Sequence, residues 1–246
     1  MMQYTIDINA DVGEGVGNEP ALMPYLTSCN IACGGHAGTT ETMQTVVKLA
    51  KQYGVKIGAH PSFPDTEHFG REPMDMSFAA LFVSIQKQID SLMHVLQEEH
   101  LNLNHVKPHG ALYNLAANDE KIAMVIIEAL KRFMLPVKLY VPYKSVIADL
   151  AIKNKIPIVY EVFADRQYNT DLTLVSRKKT NAFIHDSDVL VEHVYNMVVN
   201  QKVKTVGGEE VDIKAETCCV HGDNLDAVNL IKNLRIYLEE KGINIL

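Results

Sequence analysis

The chain has 246 residues, of which 47% are hydrophobic and 22% charged, and its formal net charge is −7. A chain of this length buries roughly 70–75% of its unfolded surface, so a core needs no disulfide or metal staple. The negative balance, without any Lys/Arg block, argues against nucleic acid or an anionic membrane as a partner. No apolar run approaches the ~18 residues of a membrane span, and the first residues lack the basic and apolar regions of a secretory signal. The protein is therefore expected to be cytoplasmic.

The elements recur in a strand–loop–helix order. Residues 4–9 alternate as Tyr-Thr-Ile-Asp-Ile-Asn, a first strand with Tyr4, Ile6 and Ile8 on one face. Gly13, Gly15 and Gly17 follow, then Asn18; this spacing misses the dinucleotide fingerprint, and the chain has no phosphate-binding G-x-x-x-x-G-K-[ST] loop. Residues 27–32 predict a second strand, ending in Cys33-Gly34-Gly35-His36. Thr39 or Thr40 caps a helix that Gly54 stops. Residues 55–59 predict a third strand, leading into His60-Pro61 and a polar loop carrying Asp65, Glu67, His68, Arg71 and Glu72. Ser77 caps the longest helix, whose inner stripe includes Leu81, Ile85, Ile89, Leu92 and Leu96.

Residues 103–107 predict the fourth strand. Pro108 keeps Lys107 extended, so His105, Lys107 and, if the extension persists, His109 share a face. A helix from Asn118 or Asp119, a fifth strand at 137–141, a helix at 144–153 and a sixth strand at 156–161 follow. The period breaks between 162 and 216, where a helix at about 187–200 and a hairpin near Gly207-Gly208 are expected. This stretch reads as an excursion from one domain spanning 1–246, because no linker composition flanks it. Residues 217–220 predict the seventh strand and residues 225–240 the last helix. Parallel strands joined by helices predict an α/β fold, a distorted, TIM-like (β/α)7 barrel, with an open doubly wound sheet as the alternative.

Both topologies place chemistry at the carboxyl ends of the strands. There the sequence sets Asn9, Asp11 and Glu14, then His36, His60, Lys107 and His109, then Glu161, Asp165 and Arg166, and finally His221 and Asp223. Four of the ten histidines fall in this class of position. Two chemistries fit. Asp11, His36, His60 and His221 could bind a divalent metal that activates water. Alternatively Asp11 acts as general base while Lys107, its pKa lowered by desolvation, or a protonated histidine stabilises an oxyanion. The four cysteines read as small buried strand residues, with Cys33 beside His36 as a weaker candidate nucleophile.

The motifs Asn9-Ala10-Asp11-Val12-Gly13-Glu14, Asn30 to Gly38, Ile57 to Pro61, Phe69-Gly70-Arg71, His105 to Asn114, Glu161 to Arg166 and Cys218 to Asn224 together resemble the LamB/YcsF family. The resemblance covers essentially the whole chain. It implies a barrel related to glycoside hydrolases and polysaccharide deacetylases. It further implies an ATP-dependent 5-oxoprolinase that converts 5-oxo-L-proline (pyroglutamate), ATP and water to L-glutamate, ADP and phosphate, acting with partner subunits B and C. The missing phosphate loop agrees with ATP being handled mainly by those partners. On this reading Asp11, Glu14, His60, Lys107 and His109 are catalytic, and His36, Arg71, Asp165, Arg166, His221 and Asp223 bind substrate. Two departures stand out: a short loop after Glu14, and Gly35 where an aromatic is common. Both are expected to flank the pocket. A solitary metal-dependent deacetylase or amidohydrolase, and a non-catalytic lactam- or sugar-binding accessory protein, are the alternatives.

Overall fold

The structure, a computed structural model, describes residues 4–133, 137–222 and 226–246. The strands are β1 (Thr5–Val12), β2 (Ser28–Ala32), β3 (Lys56–His60), β4 (His105–Val106), β5 (Lys138–Pro142), β6 (Ile158–Phe163), β7 (Lys202–Lys204), β8 (Glu210–Asp212), β9 (Thr217–Cys219) and β10 (Asn244–Ile245). The helices are α1 (Glu19–Leu22), α2 (Thr40–Tyr53), α3 (Phe78–Glu98), α4 (Gly110–Ala116), α5 (Glu120–Lys131), α6 (Val146–Lys153), α7 (Ser187–Tyr195) and α8 (Ala227–Glu240).

Seven parallel strands close on themselves in the order β1-β2-β3-β4-β5-β6-β9, with β9 returning to β1. The closed, TIM-like barrel is thus the architecture, and the open sheet is ruled out. Closure explains why both faces of β1 are buried. Ile6, Ile8, Ala10 and Val12 join the helices' buried faces in one hydrophobic cluster. Asp7, Asn9 and Asp11, on the other face, are buried inside the barrel.

That interior is polar, unlike the branched aliphatic filling common in such barrels, and it is closely hydrogen-bonded. Asp7 accepts from Thr27, Ser28 and Thr217 at 2.6 Å each. Asn9 donates to Thr217 at 2.7 Å and to Glu161 at 3.1 Å. Asn30 donates to Asn9 at 2.7 Å and to Asp11 at 2.8 Å. His105 meets the Asn30 carbonyl oxygen at 2.7 Å and stacks on Tyr140 at 3.9 Å. Such a network is stable only when its members are satisfied, and it then fixes one geometry at the rim.

The capping expectations reflect side-chain chemistry. The expected caps Thr39, Ser77 and Asp119 each accept from backbone amides in the first turn of their helices, as does Ser145, which was not foreseen, and Gly54 ends α2 in the left-handed region. Three elements escape the sequence pattern: the four-residue α1, α4, and β10, which pairs with β1 at Thr5 and Ile6. β4 is shorter than expected, because the chain turns at Pro108 and His109 caps α4 in extended geometry. After β6 the chain leaves the barrel. It passes through α7, a π-turn at Asn196–Asn200 and the antiparallel β7–β8 pair, and returns as β9. Among the described residues, no helix is long and apolar enough to cross a membrane.

Candidate active site

The carboxyl ends of the barrel strands frame a cavity of about 720 Å³, whose lining includes Asp11, Glu14, His60, Lys107, Glu161 and His221. Lys107 is the pivot. Its Nζ donates to Asp11 Oδ1 at 2.9 Å and to Cys219 Sγ at 3.0 Å, and pairs with Glu161 Oε1 at 2.9 Å. The Phe163 ring lies 5.1 Å from the ammonium.

The expected lowering of the Lys107 pKa is not found. Burial does push it down, but Asp11, Cys219 and Glu161 outweigh burial and hold it well above the ordinary lysine value. Lys107 therefore works as a fixed positive charge and not as a proton shuttle. Burial alone would raise Asp11, yet His60 and Lys107 keep it well below the usual carboxylate range. So depressed a carboxylate is a weak general base.

A second group lies beside it. Ligand atoms of Glu14, His36, His60 and His109 all fall within 4.8 Å of one another, an arrangement that could hold a metal ion. His36 Nε2 meets Glu14 Oε1 at 2.9 Å, and its ring stacks on His109 at 3.7 Å. Burial lowers the pKa of His36, and burial with His60 and His36 lowers that of His109 well below the ordinary value. The backbone is shaped to hold these rings. Phe69 sits at φ 56, and its carbonyl faces His109 Nε2 at 3.0 Å. Gly110, at φ 54, passes so close to the Gly70 carbonyl that a Cβ would lie 2.5 Å from that oxygen. Only glycine tolerates both conditions.

The cluster shares His36 and His60 with the expected metal set, while Asp11 and His221 stand outside it. His221 Nδ1 is 2.9 Å from Asp165 Oδ1, and its ring stacks on Phe163 at 5.4 Å. Burial raises Asp165, but His221 and Arg166 bring its pKa below the usual carboxylate value.

The remaining expected residues scatter. Arg166 is buried, and its guanidinium donates to the carbonyls of Val175 at 2.6 Å and Ala182 at 3.3 Å. It ties down the segment after β6 while lining the cavity. Arg71 is exposed on the opposite wall, with its guanidinium 4.9 Å from the Phe69 ring. Asp223 lies outside the described residues. Gly35 does not line the cavity. A Cβ there would lie 2.2 Å from Gln88 Oε1 and 2.3 Å from Ser62 Oγ, so α3 fills the space an aromatic would take. Cys33 is buried with its pKa pushed up to about 12 by burial, which removes it as a nucleophile.

Two cavity residues were given no role from sequence, although Glu161 stood among the strand-end groups. Tyr113 projects from the unexpected α4, and Glu161 lies in β6, two residues before its end. Both line the cavity. Burial and the neighbouring Glu161 carboxylate raise the Tyr113 pKa well above its ordinary value. Tyr113 OH and the Glu161 carboxylate are neighbours whose contact falls short of a full hydrogen bond, and neither Tyr113 OH nor Glu161 Oε2 has another partner among the described residues. The signal for Glu161 was available: it is a carboxylate inside an otherwise apolar strand end.

Fold and site together define a seven-stranded α/β barrel with a charged, buried pocket at its carboxyl rim. The chain belongs to the LamB/YcsF family, whose model matches residues 6–246. It is 43% identical over 246 residues to the A component of the Thermococcus sibiricus 5-oxoprolinase, covering 98% of this chain and 96% of that protein. The corresponding protein of Pyrococcus horikoshii is 40% identical with the same coverage. The crystal structure of a lactam utilization protein from Thermus thermophilus superposes with a TM-score of 0.92 at 35% identity, covering 98% of both chains. A family 4 carbohydrate esterase from Streptomyces lividans shares the fold alone, with a TM-score of 0.50 at 12% identity over 100% of this chain and 93% of that one.

Proposed function

We propose that this chain is the lactam-opening component of an ATP-dependent 5-oxoprolinase. The observation that carries the reading is the buried, unsatisfied pair Glu161 Oε2 and Tyr113 OH beside the Lys107 ammonium. A γ-lactam holds its N–H and C=O on one edge, a donor next to an acceptor. Glu161 Oε2 accepts the ring N–H, and Tyr113 OH donates to the carbonyl oxygen. An unmet buried polar group costs about 1–3 kcal/mol, so a ligand that satisfies both is selected over one that satisfies neither.

A lactam is a poor electrophile, so its carbonyl oxygen first takes the γ-phosphoryl group of ATP, with ADP as the leaving group. The fixed charge of Lys107 stabilises the negative charge carried on that oxygen and its phosphoryl group. Asp165 orients His221 through Nδ1–H, which leaves Nε2 as the ring atom that takes a proton from water. Water oxygen adds to the activated carbonyl carbon, the ring C–N bond breaks as the nitrogen takes up a proton to give the amine, and a second water hydrolyses the resulting acyl phosphate to the glutamate carboxylate and phosphate. The chain has no phosphate-binding loop, so partner subunits B and C bring ATP. The names of the relatives support this reading.

The test is reconstitution with candidate B and C subunits, following glutamate release from 5-oxo-L-proline. Turnover that requires ATP and all three chains, and drops at least about 100-fold in Lys107→Met, is expected from the loss of an oxyanion-stabilising group. Unchanged turnover in Lys107→Met would remove the ammonium from the mechanism.

A further inference from the structure

The cluster beside Lys107 brings ring nitrogens and carboxylate oxygens together. His60 Nδ1 lies 2.7 Å from the Lys107 carbonyl, and His109 Nε2 lies 3.0 Å from the Phe69 carbonyl. A carbonyl can only accept, so both of these ring nitrogens carry the hydrogen. The other ring nitrogens, His60 Nε2 and His109 Nδ1, face each other at 2.9 Å. Asp11 Oδ2 lies 3.4 Å from His60 Nε2, while Asp11 Oδ1 is already engaged by Lys107 and Asn30. Glu14 Oε1 lies 3.4 Å from His109 Nδ1 and 3.8 Å from His60 Nε2. His60 Nε2 thus lies within 3.8 Å of a second ring nitrogen and of one oxygen from each of two carboxylates.

We propose that His60 Nε2, His109 Nδ1, Asp11 Oδ2 and Glu14 Oε1 bind one divalent first-row transition-metal ion, with His36 holding Glu14 from behind. Ligand atoms about 2.0–2.2 Å from such an ion stand roughly 3–3.5 Å apart, and the four separations, from 2.9 to 3.8 Å, bracket that spacing. The outer contacts match as well. Histidine ligands ordinarily donate their second N–H to a backbone carbonyl or carboxylate, which fixes tautomer and ring orientation, and His60 and His109 both do so. His36 Nε2–H on Glu14 Oε1 orients the carboxylate in the same way. Charge points the same way, since Asp11 and Glu161 already flank the one Lys107 ammonium and the Glu14 carboxylate lies against the imidazoles. Two imidazoles and two carboxylates form a borderline donor set suited to zinc, cobalt, manganese or iron and not to calcium. The inference goes beyond the lactam reading and does not depend on it.

The test uses the full chain, freed of metal with a chelator and titrated with Co²⁺ or Zn²⁺ in a calorimeter, with Co²⁺ visible absorption as a second readout. One ion per chain is expected, with a Co²⁺ ligand-field spectrum. Glu14→Gln and His109→Ala are expected to weaken binding at least about tenfold, and His221→Ala to leave it unchanged. If His109→Ala fails to fold, Glu14→Gln gives the same reading. Three results would overturn the proposal: no saturable binding to the folded wild type, equal affinity in wild type and Glu14→Gln, or a ¹⁵N NMR signal at saturating Co²⁺ or Zn²⁺ for a proton shared by His60 and His109.

Discussion

Lys107 is held by two buried carboxylates, and each depends on it. Removing the ammonium leaves Asp11 and Glu161 facing each other's charge with the shared cation gone. Breaking a buried ion pair from one side typically costs about 3–5 kcal/mol. Lys107→Met is therefore expected to lower the free energy of unfolding by that amount in urea denaturation, on top of its effect on turnover; a loss below about 1 kcal/mol would mean that the triad is not held as tightly as its 2.9 Å contacts imply. At this scale much of the site was legible, because charged residues at strand ends are conspicuous in a periodic α/β sequence. What was not legible is how their charges settle. Whether a buried lysine is pushed down by desolvation or up by its neighbours depends on which strands bring Asp11 and Glu161 to it, residues 96 positions before and 54 after. Tyr113 was missed because its helix, α4, is seven residues long, too short to show a period.

At the scale of elements, the loop after β2 and the helix α3 are fitted to each other through Gly35. Gln88 on α3 accepts from the Ser62 amide and donates to the Ser62 carbonyl, both at 2.9 Å, and so occupies the space behind Gly35. A methyl group there has nowhere to go. Overpacking of this kind costs about 1–3 kcal/mol, so Gly35→Ala is expected to lower the melting temperature, and Gln88→Ala in the same chain to recover part of the loss. If Gly35→Ala melts at the wild-type temperature, the loop has room to shift. The sequence presented Gly35 as an oddity beside the pocket. Its reason lies 53 residues away on a helix, and no local pattern carries that information. Strand and helix positions, by contrast, followed from period and caps, and missed mainly at the short β4 and at β10, where two residues cannot show alternation.

At the scale of the whole molecule, the barrel encloses a polar interior where most barrels of this type enclose an aliphatic one. Buried histidines make the fold acid-sensitive. Burial lowers His193 to about 4 and drives His105 well below its ordinary value. The unfolded chain binds these protons near pH 6.5, while the folded chain resists them. Between pH 6.5 and about 4 the unfolded state therefore binds more protons, and stability falls as pH drops through that window. Denaturant midpoints measured from pH 7.5 to 4.5 should decline below 6.5, and the decline should shrink in His193→Gln. A flat profile would contradict the buried, neutral state of these rings.

The central claim is that the rim pocket receives the edge of a lactam. Steady-state kinetics of the reconstituted complex with Tyr113→Phe test it most directly, since one hydroxyl is removed and the ring stays. Loss of one hydrogen bond to the lactam carbonyl predicts a KM for 5-oxo-L-proline raised about tenfold or more, with the KM for ATP unchanged. An unaltered KM for 5-oxo-L-proline in a folded Tyr113→Phe complex would contradict the account.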